Sequence, residues 1–124
     1  MRLLLDSHTA LWSLYAEERI PAIPRAEIID RGNSVHVSAA SLWEIAIKRK
    51  IGKLSAPDEL PARLGSQGFV EFPVTGEHAW AAGALPLHHR DPFDRLLVAQ
   101  AQLEHLVLVT ADRRLAAYGV ATLW

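Results

Sequence analysis

The chain alternates short apolar runs with stretches of helical periodicity, and no other feature narrows its possible folds so much. Apolar runs that suit buried strands fall at Arg2–Leu5, Val35–Ser38, Phe69–Val74, Leu106–Thr110 and Val120–Trp124. Between them lie helical stretches at His8–Arg19, Pro24–Ile29, Ser38–Lys48, Pro57–Leu64, Thr75–Leu85, Pro92 onward and Arg113–Tyr118. Strand–helix alternation implies a parallel sheet covered on both faces, because each crossover lays its helix on the sheet. The expectation is an α/β three-layer sandwich with a central parallel sheet of about five strands. At 124 residues it forms one domain, 1–124. Trp12 and Tyr15 read as core or interface aromatics, and Trp80 as facing inward from the Thr75-capped helix. Pro73 marks the third strand as an edge or a strand end.

Composition removes whole classes of chemistry. There is no cysteine, so disulfides, thiolate catalysis and thiolate metal sites are all excluded. Any metal must be held by carboxylate, carbonyl or imidazole, which favours Mg²⁺ or Mn²⁺. No Gly-rich phosphate loop or Gly-x-Ser-x-Gly elbow occurs, and no apolar run approaches the roughly 20 residues of a membrane span. A cytoplasmic protein without a membrane association is expected. Discounting four acids that a metal would neutralise turns the net charge from -1 to +3, which leaves room for a nucleic-acid partner.

The four acids are Asp6, Glu44, Asp94 and Asp112. Asp6 ends the first strand and Asp112 follows the fourth, both at the edge where parallel sheets bind ligands. In Asp91-Pro92-Phe93-Asp94, Pro92 suits the first helical position, Asp91 the N-cap and Asp94 the third position. Each acid also has an ordinary explanation. Asp6, Asp91 and Asp112 can cap helices, and Ser41 with Glu44 matches a capping box, unless Ser38 caps instead and leaves Glu44 needing another role. Their convergence on one sheet edge is what favours a metal site. Two divalent ions roughly 4 Å apart would neutralise such a cluster and suit in-line attack on a phosphodiester. His88 and His89 lack a partner at metal-ligand spacing and are expected to be loop histidines.

Asp6 after Leu3-Leu4-Leu5, Ser41-Leu42-Trp43-Glu44-Ile45-Ala46-Ile47-Lys48, Asp91-Pro92-Phe93-Asp94-Arg95-Leu96-Leu97-Val98-Ala99-Gln100-Ala101 and Leu108-Val109-Thr110-Ala111-Asp112 resemble, in order, the motifs of PIN-domain proteins. The likeness is greatest to the VapC-type toxins of toxin–antitoxin pairs and covers the whole chain. It implies a PIN-like, Rossmann-like sandwich, an endoribonuclease dependent on Mg²⁺ or Mn²⁺, an RNA substrate, a homodimer and a small antitoxin as inhibitor. By position, Asp6, Glu44 and Asp94 take the principal metal-site acids and Asp112 the more variable fourth. Asp91 is an extra acid, a capping or supporting residue, and Thr110, Arg95 and Lys48 are candidate substrate-binding residues. An inactive PIN scaffold that only binds RNA or protein is the alternative. A phosphoacceptor receiver domain is disfavoured, since it needs an acidic pair after the first strand and a late Lys, whereas Ser7-His8 follow Asp6 and no Lys follows Lys53.

Overall fold

The computed structural model describes residues 1–124. Five strands, β1 Arg2–Leu5, β2 Ser34–Ser38, β3 Val70–Phe72, β4 Val107–Val109 and β5 Thr122–Leu123, form one sheet in the order β3-β2-β1-β4-β5. Every pairing is parallel. The helices are α1 Ser7–Tyr15, α2 Ala22–Ile29, α3 Ala39–Lys50, α4 Leu60–Ser66, α5 Gly76–Ala84 and α6 Pro92–Glu104. Two 3₁₀ turns, Glu17–Arg19 and Arg113–Tyr118, complete the chain.

The pleat of β1 separates two cores. Leu3 and Leu5 face one side with Val35, Val37 and Val109, beneath Ala10, Ile20, Ile28, Ile45, Leu60 and Leu64 from α1 to α4 and the turn between them. Leu4 faces the other side with Leu108, beneath Leu97, Val98 and Ala101 of α6 and Leu115 of the second turn. The central leucines of β1 are wholly buried, as a strand covered on both faces requires. A three-layer α/β sandwich results, as the strand–helix alternation predicts. None of its helices is long and apolar enough to cross a membrane.

Several boundaries and one burial differ from the sequence expectation. The first helix stops at Tyr15 because Ala16 leaves helical geometry at φ −155°, and Glu17–Arg19 continues only as a 3₁₀ turn. The third strand is an edge strand that ends before Pro73, whose missing N–H cannot extend the ladder. The final strand shrinks to two residues. The fourth helix runs to Ser66, past the expected end at Leu64. Trp80 does not face inward but is 86% exposed. The buried positions of α5 are His78 and Ala82, one turn apart, and Trp80 lies midway between them on the opposite side.

Strand order reverses at β1: the chain leaves it toward β2 and β3, and later returns on its other flank as β4 and β5. The crevice beyond the carboxyl ends of β1 and β4 is the switch point where such sheets bind ligands. Asp6 directly follows β1, and Asp112 lies three residues after β4.

Candidate active site

Five acids, Asp6, Glu44, Asp91, Asp94 and Asp112, line one cleft of about 200 Å³ at this switch point, and none of the residues lining it is hydrophobic. Two roomier clefts of about 520 and 420 Å³ lie elsewhere and gather no such set of acids.

Local structure fixes each acid differently. Asp6 caps α1, where Oδ1 accepts from the Thr9 N–H at 2.8 Å, and Oδ2 accepts from the Thr110 hydroxyl at 2.7 Å. Glu44 is buried in the second turn of α3, which Ser38 caps through the Ala40 N–H at 3.1 Å. That cap excludes the Ser41–Glu44 capping box. Glu44 instead accepts from the Ser7 hydroxyl through Oε1 and pairs with Lys48 at 2.7 Å through Oε2. Asp91 is the N-cap of α6, with Oδ1 accepting from the N–H groups of Phe93 at 2.8 Å and Asp94 at 3.0 Å. Asp94, free of that duty, approaches His89 Nε2 at 3.0 Å through Oδ2. Asp112 caps the second 3₁₀ turn, is clasped by Arg114 at 2.9 and 2.7 Å, and lies 3.2 Å from the same His89 nitrogen. Ligand atoms of His89, Asp94 and Asp112 all fall within 4.8 Å of one another.

The charges of the cleft are unequally compensated. Burial, then the charges of Asp91 and Glu44, push the Asp94 carboxyl from 3.8 up to about 6; His89 opposes the rise and Asp6 adds to it. The Arg114 hydrogen bonds hold Asp112 down at about 2. Lys48 is raised above its ordinary value, first by its hydrogen bond to Glu44. A site of hard oxygen donors in which burial and mutual repulsion raise the proton affinity of one member fits a divalent cation such as Mg²⁺ or Mn²⁺.

Comparison with known proteins places the chain in a family. Residues 3–121 match the PIN domain family. The chain belongs to that family. A relative, Ribonuclease VapC22 of Mycobacterium tuberculosis, is 32% identical over 123 residues, spanning 93% of this chain and 90% of the relative. Among solved structures, VapBC2 from Rickettsia felis, bound to a DNA fragment from their promoter, superposes with a TM-score of 0.70 at 14% identity, covering 99% of this chain and 98% of that one. FitAcB from Neisseria gonorrhoeae gives 0.66 at 19% identity, covering 100% and 97%. The five-stranded parallel sandwich is thus the PIN fold.

Two of the candidate substrate-binding residues of this PIN domain are otherwise engaged. Arg95 is only 8% exposed, and its guanidinium donates to the carbonyls of Ala82, Leu85, Pro86 and His89, which leaves it no access to a substrate. Thr110 is buried; its hydroxyl donates to Asp6 and accepts from the Asp112 N–H at 3.1 Å, so it braces two acids. Lys48 does stand at the cleft. Sequence reasoning misses the place of two residues in the cleft. His89 is not a free loop histidine, since it reaches between Asp94 and Asp112; nothing in the spacing of His88-His89 signals this, because a turn decides it. Arg114, two residues after a capping Asp, carries a weak signal that its own capping geometry accounts for.

Proposed function

We propose that this PIN domain is a metal-dependent endoribonuclease acting in the cytoplasm, the toxin of a VapBC-type toxin–antitoxin pair. The observation that carries the reading is the convergence of Asp6, Glu44, Asp94 and Asp112 on one non-hydrophobic cleft at the switch point. Its support from similarity is a relative of 32% identity named a ribonuclease.

In this reading Asp6, Glu44, Asp94 and Asp112 hold one or two Mg²⁺ or Mn²⁺ ions. A bound divalent ion supplies a Lewis acid that polarises the phosphodiester and lowers the pKa of an attacking water. The chain's own groups supply the rest. Thr110 and Ser7 hold Asp6 and Glu44 in fixed orientations through their hydroxyls. Lys48 and Arg114, both lining the cleft, offset the negative charge of an entering phosphate. Hydrolysis adds the water oxygen to phosphorus, and the bond to one ester oxygen breaks, with the water's protons distributed to the leaving oxygen and solvent.

The partner of such a toxin is a small antitoxin. Solved neighbours include a toxin–antitoxin complex from Klebsiella pneumoniae, which shares the fold at a TM-score of 0.63. On this chain an apolar groove of about 420 Å³ runs between α1 and the segment before α4, lined by Leu11, Trp12, Tyr15, Ala56 and Pro57. Exposed apolar surface of this kind suits a partner segment, with the toxin itself a homodimer.

The test is cleavage of RNA by purified protein. Activity should require Mg²⁺ or Mn²⁺, and Asp6→Asn should keep the fold by thermal melt while losing activity at least about 100-fold. Cleavage that persists in excess chelator overturns the proposal, and an intact protein that binds RNA without cutting it points to the scaffold alternative.

A further inference from the structure

The segment from Leu85 to Asp91, between α5 and α6, has no strand or helix to satisfy its backbone, so its polar groups need other partners. Buried Arg95 provides them. Its Nη1 donates to Pro86 O at 2.9 Å and His89 O at 3.2 Å, and its Nη2 to Leu85 O at 2.9 Å and Ala82 O at 3.0 Å. From the other side the Tyr118 hydroxyl accepts from the His89 N–H at 2.9 Å, and the His88 ring packs edge-on against Tyr118 with centroids 5.0 Å apart. Both main-chain groups of His89 are therefore held from separate elements, and its side chain, nine-tenths buried, has little freedom left.

The two ring nitrogens of His89 face different partners. Nδ1 lies 3.3 Å from the Asp91 N–H, and a backbone N–H can only donate, so Nδ1 is the acceptor and carries no hydrogen. The ring hydrogen then belongs on Nε2. That nitrogen sits 3.0 Å from Asp94 Oδ2 and 3.2 Å from Asp112 Oδ2, completely buried and in hydrogen-bond alignment with neither oxygen, so its hydrogen points between the two carboxylates. A nitrogen that bears a hydrogen has no lone pair for a metal. The close grouping of His89, Asp94 and Asp112 would otherwise suggest a three-residue metal site.

We propose that His89 is a positioning residue: carrying its hydrogen on Nε2, it ties Asp94 to Asp112 and fixes their carboxylates for an ion that it does not itself ligate. The proposal rests on the metal-nuclease reading of the cleft. Arg95 and Tyr118 act one step further back, by presenting the His89 ring. A conserved volume is not what the role requires. It requires an N–H at the reach of Nε2, and the side-chain amide of glutamine supplies one there.

The experiment uses the full chain. Long-range ¹H–¹⁵N spectra of histidine-labelled protein, recorded with chelator and then with Mg²⁺, report which nitrogen of His89 bears the hydrogen. Calorimetric Mg²⁺ titrations of wild type, His89→Gln and His89→Leu report the consequence for the ion. The Nε2–H form should persist in both states; His89→Gln should weaken Mg²⁺ binding by no more than about 3-fold, and His89→Leu by about 10–100-fold. A hydrogen on Nδ1 in the metal-free protein, or its loss from Nε2 on adding Mg²⁺, overturns the proposal, as does a His89→Leu protein that binds Mg²⁺ like wild type. Wild type that binds no Mg²⁺ overturns the nuclease reading and with it the ion-holding role, while the metal-free spectrum still decides whether the tie exists.

Discussion

Replacing Asp94 by Asn should stabilise the metal-free protein at neutral pH. The environment of Asp94 is the reason. Burial and the neighbouring acids lift its pKa from 3.8 to about 6, so the folded protein holds that proton more tightly than the unfolded chain does. Stability from this group is fully present below about pH 4 and is lost as pH rises through about 6. A rise of about two pKa units, at about 1.4 kcal/mol each, sets an upper bound of about 3 kcal/mol for the cost of ionised Asp94 at pH 7. Asn has the same shape, carries no charge and keeps an oxygen to accept from His89. Since Asp94 is 23% exposed, solvent screens part of the repulsion, and a gain of about 1–2 kcal/mol is expected. For a chain of this size that is a rise in Tm of roughly 4–8 °C. Scanning calorimetry in excess chelator, at pH 7 and pH 4.5, checks it. The gap should narrow to about a third at pH 4.5, where the folded protein already holds the proton but the unfolded chain has largely released it, and should reverse at pH 7 in saturating Mg²⁺, which stabilises only a protein able to bind it, by about 2.7 kcal/mol at 100 times Kd. An Asn variant that melts at or below wild type in chelator at pH 7 refutes the reasoning.

Two other substitutions separate neighbouring roles. Asp91→Asn should be mild in both stability and cleavage, because Asn caps as well as Asp, whereas Asp91→Ala should cost about 1 kcal/mol in a thermal melt. If Asp91→Asn abolishes cleavage and Asp94→Asn does not, the ligand assignment between the two is reversed. Arg95→Lys should destabilise by about 3 kcal/mol in urea titration, because one ammonium cannot serve four diverging carbonyls and the remainder stay buried without donors. A change below about 1 kcal/mol contradicts the structural role given to Arg95.

What could be read in the sequence was whatever local chemistry determines. Leu3-Leu4-Leu5 has to be a strand buried on both faces, Asp91-Pro92 has to open a helix, and strand–helix alternation then brings Asp6 and Asp112 to one edge. What could not be read depends on where a loop turns. Arg95 is charged and stands beside a candidate metal-site acid, so sequence logic sends it to substrate; the backbone of Leu85 to His89 folds around it instead, and burial without a carboxylate partner leaves carbonyls as its acceptors. His89 moves the other way, from an apparently idle loop into the cleft. Trp80 failed for a different reason, since the periodicity of α5 allows two apolar faces and only contact with α6 chooses between them.

The acids of the cleft are not equivalent toward a cation, because the chain already offers each a different substitute. Glu44 has a lysine and a serine hydroxyl, Asp6 a hydroxyl and a backbone N–H, and Asp112 a bidentate arginine. Asp94 has only the His89 Nε2–H between it and Asp112 and otherwise lies buried against other carboxylates; burial first, and those charges second, are why its proton is the one retained toward neutral pH. An ion entering the cleft gains most by relieving Asp94. Engaging Asp112 means displacing Arg114, and that side chain is 67% exposed, so releasing it to water costs little of what a buried pair would. Once released, the same guanidinium would be free to pair with a phosphate entering the cleft it lines.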